Sequence, residues 1–337
     1  MNIKTVSIII PCKNEEKYIA KNIDSILNQK FDGDIEILVV DGLSEDKTRE
    51  IVLSYNNPKV KLIDNPYQYT PQALNIGVNN AKGDIFIILG GHAFLDEDFV
   101  AQNVKILDKD PTVGCSGGQI INIYENKTGE LISRAMSSIF GVGNATFRTG
   151  GEAGFVDTVA FGAYYKSIHH KIGGFDEDLV RNQDDEYNFK ITKAGYKIYF
   201  DPKIKSNYYV RGSIKKLFKQ YYQYGYWKVY VNKKHKTITT IRQLIPLFFV
   251  LGIMGGLMVS LIFPMFWWLY ISGILTYLLL SVYFAQKQAK TVFDGVKIAP
   301  IFPILHFSYG FGYLVGIIHF VLLNKKPTNK SKELSRS

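Results

Sequence analysis

From Leu244 to Ala285 the sequence carries no charged residue, a run of 42 positions that a soluble core could scarcely absorb. A bilayer core takes about 20 apolar residues per helix, so the run divides into two spans, 243–262 and 266–285, with Pro264 at the hairpin between them. Phe, Trp, Leu and Ile cover every face with no polar stripe, which argues against two buried helices of a soluble domain. A third apolar segment, Ile298 to Leu323, is interrupted by Pro300, Pro303, His306, Gly310, Gly312, Gly316 and His319. It either crosses, re-enters or lies at the interface. Lys228, Lys233, Lys234, Lys236 and Arg242 precede the first span, and Lys287, Lys290 and Lys297 follow the second. The hairpin is uncharged, so the positive-inside rule places both flanks, and everything N-terminal to them, in the cytoplasm. A third crossing would carry the basic tail (Lys325, Lys326, Lys330, Lys332, Arg336) outside. The rule therefore favours a re-entrant or shallow third segment.

Charge divides the chain in the same place. Residues 1–200 hold 21 Lys/Arg against 27 Asp/Glu, whereas residues 201–337 hold 19 against 3. The basic half could serve nucleic acid or an anionic membrane surface, and the adjoining apolar run selects the membrane and excludes nucleic acid. Charged residues at 21% and hydrophobic residues at 47% exclude a disordered chain. Only two cysteines occur, Cys12 and Cys115, each in apolar surroundings, which fits a reducing compartment and no disulfide framework. The first apolar run is too short for a signal peptide, so the chain is expected to start on a strand of a cytoplasmic domain.

Ahead of the apolar run, Ile214, Leu217, Phe218, Tyr221 and Tyr222 recur at helical spacing, interleaved with Lys215, Lys216 and Lys219. Tyr224, Tyr226, Trp227 and Tyr230 continue the pattern. Lysine beside aromatics at this period describes a helix in the headgroup plane, the alternative being an ordinary packed surface helix. Four regions follow: a cytoplasmic α/β domain over 1–212, an interfacial helix and linker over 213–242, a membrane region over 243–323 and a basic tail over 324–337.

Within the first region, short β-branched runs (Val6 to Ile10, Ile35 to Val40, Val60 to Ile63, Ile85 to Leu89) alternate with helical patterns from about Glu15, Asp46 and Thr70. Such alternation predicts an α/β domain with a mixed, mostly parallel sheet and ligands at the carboxyl ends of its strands. Three polar loops lie there: Pro11-Cys12-Lys13-Asn14-Glu15-Glu16, Asp41-Gly42-Leu43-Ser44-Glu45-Asp46-Lys47-Thr48 and Gly90-Gly91-His92. Taken singly, each reads equally as a turn or a helix cap.

Together these loops resemble the nucleotide-sugar domain of glycosyltransferase family 2, with its GT-A fold, whose motifs P-x-x-N-E and D-G-S-x-D-x-T match Pro11 to Glu15 and Asp41 to Thr48, with Leu43 where Ser is usual. Gly173-Gly174-Phe175-Asp176-Glu177 looks like the acceptor-side loop of that family, and Gln183-Asp184-Asp185-Glu186 followed by Ala194-Gly195-Tyr196 like its catalytic helix. Val156-Asp157-Thr158-Val159, the Arg181 to Glu186 run, the Gln220 to Lys228 run and His306 with Tyr309 to Gly312 resemble the membrane-bound succinoglycan branch. That branch extends a saccharide on a polyprenyl-diphosphate lipid in exopolysaccharide assembly.

The resemblance implies an inverting transfer from a nucleoside-diphosphate sugar, of UDP type, to a lipid-linked acceptor, by a multi-pass plasma-membrane enzyme. Asp184 is then the base, with Asp185 the fallback. Pro11, Asn14, Glu15, Asp41, Ser44, Asp46 and Gly91 would bind the donor. Asp157, Gly174, Phe175, Gln183, Arg211, Gln220 and Trp227 would face substrate or acceptor. A buried Asp157 beside Thr158 would equally suit hydrogen-bonded scaffolding. Family members hold Mn²⁺ or Mg²⁺ through D-x-D after the fourth strand; here Gly90 replaces the first Asp, leaving His92 as metal ligand, an imidazole better suited to Mn²⁺. Arg211 or the lysines near the membrane are the alternative counter-charge. Asp96 and Asp98 are expected to start the next helix. A processive polysaccharide synthase would need Q-x-x-R-W, and Gln220 is followed by Tyr221-Tyr222-Gln223-Tyr224 instead. A catalytically silent nucleotide-sugar-binding scaffold is the remaining rival; a soluble nucleotidyltransferase lacks the charge-free run.

Overall fold

The computed structural model describes residues 5–239 and 241–328; the predicted basic-tail residues Lys330, Lys332 and Arg336 lie outside them. Nine strands are present among the described residues: β1 (Thr5–Cys12), β2 (Asp34–Asp41), β3 (Val60–Asp64), β4 (Ile85–Ile88), β5 (Ala93–Leu95), β6 (Val113–Ile123), β7 (Gly154–Val156), β8 (Ala160–Tyr165) and β9 (Lys197–Tyr209). The first helices are α1 (Ile19–Leu27), α2 (Thr48–Ser54), α3 (Thr70–Asn80), α4 (Phe99–Lys109), α5 (Lys127–Met136), α6 (Ile139–Val142), α7 (Thr146–Thr149), α8 (Lys166–Ile172) and α9 (Gln183–Lys193). After them come α10 (Ile214–His235), α11 (Ile245–Ile262), α12 (Trp267–Gln288), α13 (Val292–Ile298) and α14 (Ile301–Gly316), the last continuing as a π-helix over Ile317–Leu322.

The chain forms two units, Met1–Asn122 with Thr146–Tyr209, and Ile123–Ala145 with Val210–Ser337. The first is α/β. Its sheet runs β3-β2-β1-β4-β8-β6-β9-β5, with β7 on β9. Pairings among β1 to β4 are parallel, as expected of strands joined by helical crossovers. The described pairings beyond β4 are antiparallel, so the sheet is mixed, with a parallel half and an antiparallel half. The strands of the parallel half are buried on both faces: Ile8 and Ile10 point into one apolar cluster and Ile9 into the other. Helix α1 begins at Ile19, four residues later than its periodicity suggests, because the backbone of Asn14 to Glu16 is pinned to the loop after β2. Asp98 does precede α4, while Asp96 accepts from Asn207 at 2.8 Å.

The second unit is helical, and it corrects the contiguous 1–212 domain: α5 and α6 leave the α/β unit to join it. Phe140 explains why, since its ring packs against Tyr277, Phe284, Phe302 and His306. Three segments, Ile241–Ile262, Pro264–Gln288 and Val292–Leu322, are long and apolar enough to cross a membrane. The third is much the most buried within the unit. Its contacts with α11 involve Pro246, Phe249 and Val250, in the first half of that helix.

Helix α14 owes that packing to glycine. A Cβ at Gly310 would strike the Pro246 carbonyl, one at Gly312 the Tyr222 carbonyl, and one at Gly225 of α10 the Tyr309 carbonyl. Small residues thus let three helix backbones approach. His306 adds a polar tie: Tyr277 donates to its Nδ1 at 2.7 Å, and its Nε2 donates to the Phe140 carbonyl at 2.7 Å. Helix α10 packs along α14, and Leu217, Trp227 and Val231 are buried while Ile214 and Phe218 stay exposed.

Candidate active site

The loops after β1 and β2 are locked together by hydrogen bonds. Asp41, at the end of β2 and fully buried, accepts the Ser44 hydroxyl on Oδ1, and on Oδ2 the Ser44 amide at 3.0 Å and Arg49 Nη1 at 2.8 Å. The Asn14 amide donates to Ser44 Oγ at 2.8 Å and the Glu15 amide to Thr48 Oγ1 at 2.8 Å. Asn14 Oδ1 accepts from the Glu45 amide at 2.9 Å, and the Glu16 amide reaches Asp46 Oδ2 at 3.1 Å. Burial opposes ionisation of Asp46, but bonds from the Thr48 hydroxyl and amide and from the Glu16 amide outweigh it and lower its pKa. Asn14 and Leu43 both adopt left-handed backbone, φ 56° and 57°. That is unusual for Leu, and it fixes the turn where the family more often has Ser.

At the end of β4, His92 Nδ1 lies 3.0 Å from Glu15 Oε1. At Gly91 a Cβ would come within 2.9 Å of Glu15 Cγ, so any side chain there would displace Glu15. Gly90 has no such restriction: its nearest neighbour would be Phe161 Cε1 at an ordinary 3.6 Å. The His92 ring centre is 5.1 Å from that of Tyr208, and the Arg148 guanidinium carbon is 5.8 Å from the same Tyr208 centre.

Asp184 stands in the first turn of α9, behind Asn182 in left-handed conformation (φ 62°). Its Oδ1 accepts the Asp185 amide at 2.9 Å. The carboxyl is open to solvent yet enclosed by protein mass, so desolvation, followed by the charge of Asp185, raises its pKa, with amide hydrogen bonds and Arg148 opposing. Beneath it, buried Asn188 donates to Thr158 Oγ1 at 2.8 Å and to the Val159 carbonyl at 3.1 Å, and accepts the Tyr164 hydroxyl at 3.0 Å. Nearby His169, hydrogen-bonded to Tyr187, is pushed down to about 4 by burial.

The description "Glycosyl transferase family 2" fits the family model that matches residues 7–173. Over 230 residues the chain is 38% identical to the dolichyl N-acetyl-alpha-D-glucosaminyl phosphate 3-beta-D-2,3-diacetamido-2,3-dideoxy-beta-D-glucuronosyltransferase of Methanococcus voltae, covering 65% of this chain and 71% of that relative. The chain belongs to glycosyl transferase family 2. It is 29% identical to the succinoglycan biosynthesis protein ExoA of Rhizobium meliloti over 262 residues, 71% of this chain and 74% of the relative. The crystal structure of S. aureus TarS superposes on 66% of this chain and 39% of its own, with a TM-score of 0.50 at 18% identity, a likeness of fold.

In this glycosyltransferase the predicted donor residues Pro11, Asn14, Glu15, Asp41, Ser44, Asp46 and Gly91 meet at the strand ends with His92. Several of their polar atoms are spent on one another: Asp41, Ser44 and Asp46 build the loop that would hold a nucleotide. The acceptor-side residues scatter. Gly174 lies against Asn75, whose amide bonds to the Phe175 carbonyl at 3.0 Å and the Glu177 carboxylate at 2.9 Å, while Lys190 reaches the Gly174 carbonyl at 2.6 Å. Phe175 is buried, its ring centre 4.1 Å from that of Tyr187, so it anchors this loop from within the core. Asp157 is exposed, which corrects the picture of a buried carboxylate; the buried partner is Thr158. Gln183 and Asp185 are half-buried beside Asp184, and Glu186 is fully buried.

Gln220, Trp227 and Arg211 belong to the helical unit. Trp227 has no exposed surface, and Gln220 donates to the Tyr224 hydroxyl at 2.9 Å, so both are packing residues of α10. A cavity of about 460 Å³ in that unit is lined by none of the predicted site residues.

Among the described residues no three His, Cys, Asp or Glu side chains converge to hold a metal ion. His92 and Glu15 could supply two ligands, leaving the rest to phosphate oxygens and water, as is common for Mg²⁺ beside nucleotides. Motif reading missed Arg148 and Asn188. Asn188 has a faint signal, four residues after Asp184 on one helix face; Arg148 sits in a glycine-rich stretch with none.

Proposed function

We propose that this glycosyltransferase moves one sugar from a nucleoside-diphosphate sugar, of UDP type, to a lipid-linked saccharide at the cytoplasmic face of the plasma membrane, in exopolysaccharide or related surface-glycan assembly. The observation that carries this reading is Asp184, a solvent-accessible carboxyl with a raised pKa at the start of α9, in the electrostatic reach of Arg148. A carboxylate of raised pKa is the better base for a hydroxyl. Asp184 takes the acceptor proton as the hydroxyl oxygen attacks the anomeric carbon, and the bond to the diphosphate breaks on the opposite face. An α-linked donor then gives a β-glycoside. A divalent cation at His92 and Glu15 would neutralise diphosphate charge. The donor loops hold the nucleotide, with Asp41 and Asp46 fixing the turn. The relatives' printed activities, on a dolichyl-linked sugar and in succinoglycan biosynthesis, support a lipid-linked acceptor.

Membranes containing the full chain, incubated with a panel of radiolabelled nucleotide sugars with and without Mn²⁺, should transfer label from one donor into the lipid extract, one residue per acceptor. Many residues per acceptor would indicate a processive synthase. Unchanged transfer by Asp184→Asn would sink the assignment of the base, and absence of transfer from every donor would favour a scaffold.

A further inference from the structure

We infer that Arg148 binds the diphosphate of the donor and stabilises it as it leaves, beside Tyr208 and His92 near the strand end that lacks the family's Asp. This rests on the nucleotide-sugar reading above. Arg148 Nη1 is buried and has no hydrogen-bond partner. A buried donor left unsatisfied costs about 1–3 kcal/mol, more when charged, so a guanidinium kept this way is matched to a ligand outside the chain. Its surroundings identify that ligand. The guanidinium carbon lies 5.8 Å from the centre of the Tyr208 ring, and His92 lies 5.1 Å from the same ring. Phe161, whose Cε1 is the nearest atom a Cβ at Gly90 would meet, stacks toward Tyr208 as well, with centres 6.4 Å apart. Arg148 and His92 thus both lie close to the ring of Tyr208, which pairs with Ala93 a few residues beyond β4, close to where the family keeps the Asp this chain lacks. Arg148 also acts electrostatically on Asp184, favouring its ionised form.

The leaving diphosphate has to sit between the donor loops and the base, and a guanidinium there can give two parallel N–H bonds to phosphate oxygens. When the glycosidic C–O bond breaks, its electron pair goes to the diphosphate oxygen, and Arg148 meets that charge without transferring a proton. Gly90 is compatible with this arrangement: its backbone is ordinary and a side chain would fit, so the chain adds no second carboxylate beside Glu15 there.

The test is binding, which separates Arg148 from turnover. UDP, GDP and the corresponding nucleosides are titrated by calorimetry into the full-length protein in detergent, with Mn²⁺ and with EDTA. Arg148→Ala should weaken binding of the preferred nucleoside diphosphate at least tenfold in both conditions while leaving the nucleoside alone unchanged, and Arg148→Lys should recover part of the loss. An equal loss for nucleoside and diphosphate would mean a collapsed pocket and overturn the inference, as would an unchanged diphosphate affinity. If the unaltered protein binds none of these probes, the nucleotide-sugar reading itself fails.

Discussion

The strand ends of β1 and β2 and the strand end of β4 carry similar polar loops, but they spend their polar atoms differently. In the first pair, Asp41, Ser44, Asp46, Thr48 and Asn14 satisfy one another, so the loops are rigid before any ligand arrives. At the end of β4 a glycine leaves room, and Arg148, near Tyr208, holds an unpartnered buried donor. Rigid, satisfied loops supply shape; the under-satisfied site is where a charged ligand gains most, because nothing has to be displaced.

The largest effect expected on this contrast comes from Asp184→Asn, which should lower kcat/KM by about 10²–10⁴ in the lipid-transfer assay. Its pH dependence has a definite sign. As the proposed base Asp184 would work when ionised, and its pKa is raised, so the rate should fall with decreasing pH, starting above the range of an ordinary carboxylate. The same shift opposes folding above that pKa and is relieved as pH falls through it. Asp184→Asn should therefore melt at a higher temperature than the unaltered protein at neutral pH; a lower one would contradict the strained environment.

Asp41→Asn attacks the satisfied loops. Losing the charge opposite Arg49 should cost about 3 kcal/mol, read as a lower denaturant midpoint. Asn188→Ala should cost about 1–3 kcal/mol by stranding the Tyr164 hydroxyl and Thr158, with kcat falling more than KM rises because the base helix loses its tie to β8. The two adjacent glycines then compare the loops directly. Gly91→Ala, pressed against Glu15, should cost about 1–3 kcal/mol, whereas Gly90→Ala should stay within about 0.5 kcal/mol. Equal effects at both would erase the contrast.

Much of this was legible in the chain. The βαβ alternation placed β1 to β4 nearly to the residue because strands buried on both faces read as continuous apolar runs. The donor motifs were legible because their spacing is local to a strand end. The antiparallel half was not, since its pairings join segments far apart in sequence, such as β4 with β8. Burial was the weakest reading: Asp157 lies in an apolar run yet faces solvent, while Trp227 and Phe175 are core.

By itself the sequence determined that part of this protein meets a membrane and that another part carries the strand-end motifs of family 2, since hydropathy and short motifs are properties of contiguous residues. Tertiary structure alone decided that α5 and α6 join the helical unit, that glycines in α10 and α14 let the helix backbones touch, and that Arg148 and His92 both lie close to one tyrosine. Each depends on residues brought together across many positions, where packing and unsatisfied hydrogen bonds, rather than local pattern, set the outcome.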